Sequence, residues 1–261
     1  MNGFIMKKDM SYFDNTKSRN YWHLFSNIVT IVTILLLVIS VMGFRFEIFS
    51  FIFSLLTLTK YAIYTSLIAL VLSLIAFGNL IGKSHYSSKL NNLLNIIINI
   101  VLVIYFFNNI IALKSNPVIN DISTNYDDFI EFKMYKNHNL LTDEHILLQK
   151  YGGFNKPNSK ITSFQVINKT LAEVFDASQN IINEMGLKIT YSNFEEGLIE
   201  AVDSSFWYGF KDDIIIRIEK LISDEIKVDV RSASRIGKSD FGVNSMRIKE
   251  FFESLIFKLE G

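Results

Sequence analysis

Long uncharged runs fill the first part of this chain, and short runs with helical or alternating spacing fill the rest. Three runs are long enough for a membrane-crossing helix, which needs about 20 apolar residues. They are residues 21–44, then 61–82 between Lys60 and Lys83, then 90–113 between Lys89 and Lys114. A fourth run, 48–59, has only 12 residues and reads as an interfacial or re-entrant piece. The first run is too long for a signal-peptide core, follows a polar stretch and is not trailed by a small-x-small site. The pattern predicts a cytoplasmic tail over 1–22 and three transmembrane helices over 23–113.

After Lys114 the periodicity changes. Residues 114–160 are polar with scattered aromatics and hold both prolines, Pro117 and Pro157, so they read as an irregular connector. Tyr151-Gly152-Gly153 is a turn by composition. A helix follows, because Leu171, Val174, Phe175, Ser178, Ile181, Ile182 and Met185 form one stripe at helical spacing. Thr170 and Glu173 have the form of a capping box, Asn168 is a competing cap, and Gly186 stands where a C′ glycine belongs.

Four strand-like runs come next, over 187–193, 198–203, 214–220 and 226–231. In the last two, Ile214, Ile216 and Ile218 oppose Arg217 and Glu219, while Ile226, Val228 and Val230 oppose Lys227, Asp229 and Arg231. Such alternation predicts an antiparallel sheet with one covered face and one wet face. A final helix over 244–259 puts Ile248, Phe251, Phe252, Leu255 and Leu259 on one side. The expected fold is an N-terminal three-helix transmembrane unit followed by a two-layer α+β domain over 161–261, an antiparallel four-stranded sheet with two helices.

Charge sets the orientation. Lys+Arg and Asp+Glu balance at 26 each, yet residues 1–113 hold 8 basic and 3 acidic side chains and the remainder 18 and 23. Lys7, Lys8, Lys17, Arg19, Lys83 and Lys89 would share one side of the membrane, against Arg45 and Lys60 on the other. The positive-inside rule then puts the N-terminus in the cytoplasm and, after three spans, the α+β domain outside. An integral protein of a bacterial inner (plasma) membrane is expected, with the lipid bilayer as its first partner. The neutral total gives no reason to expect nucleic acid. There is no Cys, so disulfides, thiolate nucleophiles and Cys-ligated zinc are excluded. Asn95, Asn99, Asn108 and Asn109 lie in the third span and read as hydrogen-bonding partners for the other helices. No acidic or basic residue lies inside a span, which argues against an ion-coupled transporter.

The densest polar segment runs Asp229-Val230-Arg231-Ser232-Ala233-Ser234-Arg235-Ile236-Gly237-Lys238-Ser239-Asp240-Phe241-Gly242-Val243-Asn244, followed by Arg247. With Phe210-Lys211-Asp212-Asp213 before it, and Asn120-Asp121-Ile122-Ser123-Thr124 after the last span, it resembles domain of unknown function 1499. That is a bacterial and plastid family often preceded by membrane helices, and the resemblance covers residues 116–259. The family's proline-rich stretch is replaced here by Asn125-Tyr126-Asp127-Asp128-Phe129. The resemblance implies no reaction, cofactor or substrate.

As chemistry, the segment joins the last strand to a helix N-terminus, where free N–H groups and the dipole favour an anion. The candidate cluster is Lys211, Asp212, Asp213, Arg231, Ser232, Arg235, Lys238, Asp240, Asn244 and Arg247. It is either an anion pocket for a phosphate or carboxylate, or an internal ion-pair network with Asp240 or Asn244 capping the helix. Matched acids and bases favour the network. Gly237-Lys238-Ser239 lacks the preceding glycine of a phosphate loop, where Ser232 stands. His23, His85, His138 and His145 fit no zinc spacing, so no metal, cofactor or catalytic residue is assigned. Phe206-Trp207-Tyr208-Gly209-Phe210 is either an aromatic tip for the bilayer interface or a ligand, or a plug over the core.

The leading expectation is a non-enzymatic membrane protein presenting a binding or structural domain at the cell envelope, with an envelope protein or anionic ligand as partner. The alternative is an envelope enzyme or anion receptor using Asp212 or Asp213 as base and Arg231 and Arg235 as clamp.

Overall fold

A computed structural model of the protein describes residues 21–81, 86–115, 118–138 and 161–260. The basic tail, Lys83, His85, Pro117, His145, the 151–153 turn and Pro157 lie outside the described residues. The chain forms two compact units, Met1–Ser40 with Leu55–Tyr105, and Val41–Ser54 with Phe106–Gly261.

Helices α1 (Tyr21–Arg45), α2 (Thr59–Gly78) and α3 (Tyr86–Ser115) supply three helices long and apolar enough to cross a membrane. The 48–59 run is not the separate piece expected. Its residues Ile52–Leu58 form a π-helical stretch that passes directly into α2, making one helix over Ile52–Gly78. The second helix long and apolar enough to cross a membrane therefore starts earlier than 61.

Within the first unit, α2 buries Ala62, Ser66, Ala69, Ser73 and Ala76, one face at alternating steps of four and three. Small side chains let helix backbones approach closely, and polar groups then bond across. Ser26 and Ser73 share a hydrogen bond of 2.6 Å, and Thr33 donates to Thr65 at 2.8 Å. Asn95 donates to Asn27 at 2.5 Å and Asn99 to Thr30 at 3.0 Å, so these two amides do join α3 to α1. Apolar side chains such as Leu35, Val71 and Val101 stay exposed on the outside of each helix.

The second unit is built on one antiparallel sheet of six strands. These are β1 (Asp121–Ser123), β2 (Phe164–Val166), β3 (Lys188–Asn193), β4 (Leu198–Ser204), β5 (Lys211–Lys220) and β6 (Ile226–Ser234). The order is β1-β6-β5-β4-β3, and β2 also pairs with β6. The expected four-strand meander is β3 to β6, so the count of four is corrected to six. The two additions are three residues long and lie end to end on the outer edge of β6. Asp121 to Ser123 face Ala233 to Arg231, and Phe164 to Val166 face Val228 to Ile226. A run that short has no readable alternation, and β1 falls within the stretch read as connector.

Helices α4 (Leu171–Glu184) and α5 (Val243–Glu260) cover one face of the sheet. Thr170 caps α4 and forms the complete capping box with Glu173, whereas Asn168 does not cap. Gly186, at φ +75°, ends the helix with its N–H on Asn183 while Leu187 N–H reaches Ile182, the paired bonds of a Schellman turn. The predicted stripe packs as expected. Val174, Phe175, Ile181 and Ile182 meet Ile214, Ile216, Val228 and Val230 of the sheet and Ile248, Phe251 and Leu255 of α5.

The opposite face is not wet. Residues 124–138 cross it as a strap without regular secondary structure, burying Ile130 and Phe132 against Leu198, Ile215 and Ala233. The sheet is thus covered on both sides, which corrects the expectation of an exposed face. β6 also runs to Ser234, so Arg231 to Ser234 are strand residues rather than part of the link to α5.

Candidate functional site

A strand turns successive side chains to opposite faces. Arg231 and Ser232 are neighbours in sequence but stand on opposite sides of the sheet, and the same holds for Asp212 and Asp213. The ten candidate residues therefore do not form one cluster.

On the helix face, the centre is Arg247 of α5, which is 5% exposed. Its Nη1 donates to Ser232 Oγ at 2.9 Å and Asn244 Oδ1 at 2.6 Å, and its Nη2 to Asp203 at 2.7 Å and Asp212 at 2.9 Å. Asn244 Nδ2 donates onward to the Asn120 carbonyl and to Ser234 Oγ. Asp240 accepts the backbone N–H groups of Gly242 at 2.9 Å and Asn244 at 2.7 Å. A carboxylate of the chain thus occupies the N-terminal end of α5, where an external anion would otherwise sit.

On the strap face, charged groups of the sheet bind the strap in order along its length. Asp229 accepts from Asn125 Nδ2, and Arg217 donates to the Asp128 carbonyl and carboxylate. Arg231 donates to the Ile130 carbonyl at 2.7 Å while its guanidinium lies 3.9 Å from the Phe129 ring centre and 4.7 Å from that of Phe132. Glu200, fully buried on β4, accepts the backbone N–H groups of Lys133 and Met134. Arg235 lies 4.2 Å from the Tyr135 ring centre and grips Asp213 by two bonds of 2.7 Å. His138 Nε2 meets the same Asp213 at 2.9 Å, with its ring stacked on Phe132.

The two sequence motifs that carry the family resemblance meet in this arrangement. Asp121 takes Arg231 through two bonds of 3.0 and 2.6 Å. Thr124 N–H donates to the Val230 carbonyl and Thr124 Oγ1 accepts from Val230 N–H, both at 2.9 Å. Asn120 Nδ2 donates to the Gly237 carbonyl at 2.6 Å.

Burial and partners oppose each other at the acids. Burial alone would push Asp213 up, but the bonds from Arg235 and His138 prevail and hold it below the usual carboxylate value. Asp229 is likewise held low against its burial by Ser163, Arg217, Lys227 and Asn125. Asp240 is raised, because burial outweighs its two backbone donors. Burial raises the Tyr126 phenol as well, against its bond from the Ser123 N–H.

Lys211 and Lys238 are exposed and stand apart from both groups. Lys211 contributes only its carbonyl, which accepts from Arg235 N–H. Asp121, Asp203, Glu200 and His138 join these groups from outside the candidate cluster. Asp121 had a signal, since it is the one charge within the Asn120-to-Thr124 motif; the other three sit in no recognisable motif. No group of three or more metal-binding side chains occurs among the described residues.

No curated protein matches the chain. A family model does, over residues 119–255, more than half of the sequence, and its limits enclose all of the sheet and the strap. The chain belongs to the family described as protein of unknown function (DUF1499).

Proposed function

We propose that this chain is an integral protein of a bacterial inner (plasma) membrane that holds a DUF1499 domain on the extracytoplasmic side as a structural or binding module. One observation carries the non-catalytic reading. Arg231, Arg235 and Arg247 each spend their guanidinium on internal carboxylates, and Arg231 and Arg235 also on aromatic rings of the strap. Arginines committed this way are framework, and a ligand would have to displace an internal acid to reach them. A base would require a carboxylate free to take up a proton. Asp213 is held low by two partners, and Asp212 is paired with Arg247.

The membrane part of the reading rests on the three apolar helices and on the charge bias around them. Arg45, at the end of α1, donates to the carbonyls of Phe206 and Trp207, which supports the end of α1 and the sheet sharing one side, as three spans require.

Two measurements on the full chain test the proposal. A reporter active only outside the cytoplasm, fused at Gly261, should work, and activity of a cytoplasm-only reporter at that point would overturn the orientation. Inorganic phosphate should leave the melting temperature unchanged. A rise that grows with occupancy and vanishes in Arg235→Ala would replace the framework reading with an anion receptor.

A further inference from the structure

The aromatic loop between β4 and β5 is divided in its use. Tyr208 and Phe210 stack on each other, and Phe210 packs 5.0 Å from Phe44 and 5.8 Å from Phe51, ring centre to centre. Phe44 and Phe51 belong to the same compact unit as the sheet. Phe206 and Trp207 do the reverse. Their rings touch each other at 5.3 Å but remain 80% and 61% exposed. Their carbonyls are tied by Arg45 Nη1 at 2.6 and 3.3 Å.

Arg45 is the first charge after the uncharged run 21–44. In a helix that crosses a membrane, that position marks the level where hydrocarbon gives way to headgroups. The next residues leave Phe46 and Ile48 71% and 69% exposed. Four large apolar side chains therefore flank the one guanidinium that fixes the loop at that level. A soluble domain has no reason to hold adjacent Phe and Trp rings in water, whereas the headgroup region accepts an aromatic ring.

We propose that Phe206 and Trp207 insert into the bilayer interface beside the end of α1, so that the β4–β5 loop is a second, side-on membrane anchor for the sheet domain. Arg45 sets the loop's depth, and Tyr208 and Phe210 lock its base onto Phe44 and Phe51. The inference rests on the proposed reading of α1 as a membrane span, and its partner is the lipid surface itself.

The chain has two tryptophans, Trp22 and Trp207, so Trp22→Phe leaves Trp207 as the sole reporter in the full-length protein. The variant would be reconstituted in vesicles of phosphatidylcholine and phosphatidylglycerol. Lipids brominated near the headgroup end of the acyl chain should quench Trp207 roughly twofold or more, while aqueous acrylamide should reach it poorly. Quenching by acrylamide with none by bromolipid would overturn the proposal. So would shielding from both, which would mean a protein covers the loop. Because the chain lacks cysteine, Phe206→Cys carrying a spin label gives the same answer without touching Trp22. It should be relaxed by oxygen more than by a water-soluble nickel complex, and the opposite order would overturn the proposal. Alkaline carbonate extraction separates the two ideas. Release of the chain defeats the membrane reading, whereas retention with a water-exposed Trp207 defeats only the loop anchor.

Discussion

Asp121 and Arg231, 110 residues apart, close on each other through two parallel hydrogen bonds, with side chains 2% and 8% exposed. The pair joins β1 to β6, and the third nitrogen of the same guanidinium reaches the strap at Ile130. Removing one partner leaves an uncompensated buried charge. Arg231→Ala and Asp121→Ala should each cost about 3–5 kcal/mol in denaturant unfolding of the full chain in detergent. The double variant Asp121→Leu with Arg231→Met should recover much of that loss, since an apolar pair strands no charge. A double-variant loss as large as the two single losses added together would show that the two residues act independently.

The low positions of Asp213 and Asp229 translate into acid sensitivity. A carboxylate whose folded value lies below its unfolded one adds stability that is whole above about pH 4 and lost as pH falls below that, through the folded value. Asp240 works the other way, because its raised value lets the fold gain a proton early. Through Asp213 and Asp229, stability should fall as pH drops below about 4, with Asp240 opposing that loss. Asp213→Asn with Asp229→Asn should be less stable at neutral pH and show a flatter acid limb. An acid limb as steep as that of the parent would remove these two residues from the explanation.

In the core, Ile182 is fully buried between α4 and the sheet. Ile182→Ala should cost about 2–5 kcal/mol, and Phe175→Ala about 3–5 kcal/mol, with the spread set by how far each cavity collapses. Urea midpoints would measure both, and a change under 1 kcal/mol at either site would contradict the packing.

Gly197 closes the β3–β4 turn at φ +63°, and a Cβ there would lie 2.1 Å from the Ile218 carbonyl oxygen. Both strain and clash oppose a side chain, so Gly197→Ala should destabilise by at least about 1–3 kcal/mol. Gly186→Ala has the same strained sign of φ with no neighbour within 4 Å, and should cost less. Thermal melts of the two variants side by side would separate clash from strain.

Much of the fold is legible in sequence because it repeats a period. The α4 stripe ran far enough to be read, and Thr170 and Gly186 marked its ends. The alternation of β5 and β6 identified their core face. What escaped is short or long-range. β1 and β2 are three residues each, too few to alternate. The strap contributes only Ile130 and Phe132 to its layer, and two apolar residues make no pattern. The π-helical opening of the second span departs from the 3.6-residue repeat on which the boundary was judged. At the candidate site, residue type was a sound guide and proximity in sequence was not. Strand alternation sent Arg231 and Ser232 to different faces, and the partners Asp121, Asp203 and His138 came from other elements.

The placement of β1 constrains the order in which the domain can mature during synthesis. Asp121 to Ser123 leave the ribosome soon after α3, yet their pairing partner, Arg231 to Ala233, is made more than a hundred residues later. Ile119 and Ile122 must stay unburied through that interval, because the core they join does not exist without β6 and α5. Closing so long a loop is slow, and the waiting strand is open to wrong partners meanwhile. A chain stopped before Ile226 would keep its three apolar helices and still lack the strand on which β1 and β2 pair, making it a target for quality-control proteases rather than a partly working protein.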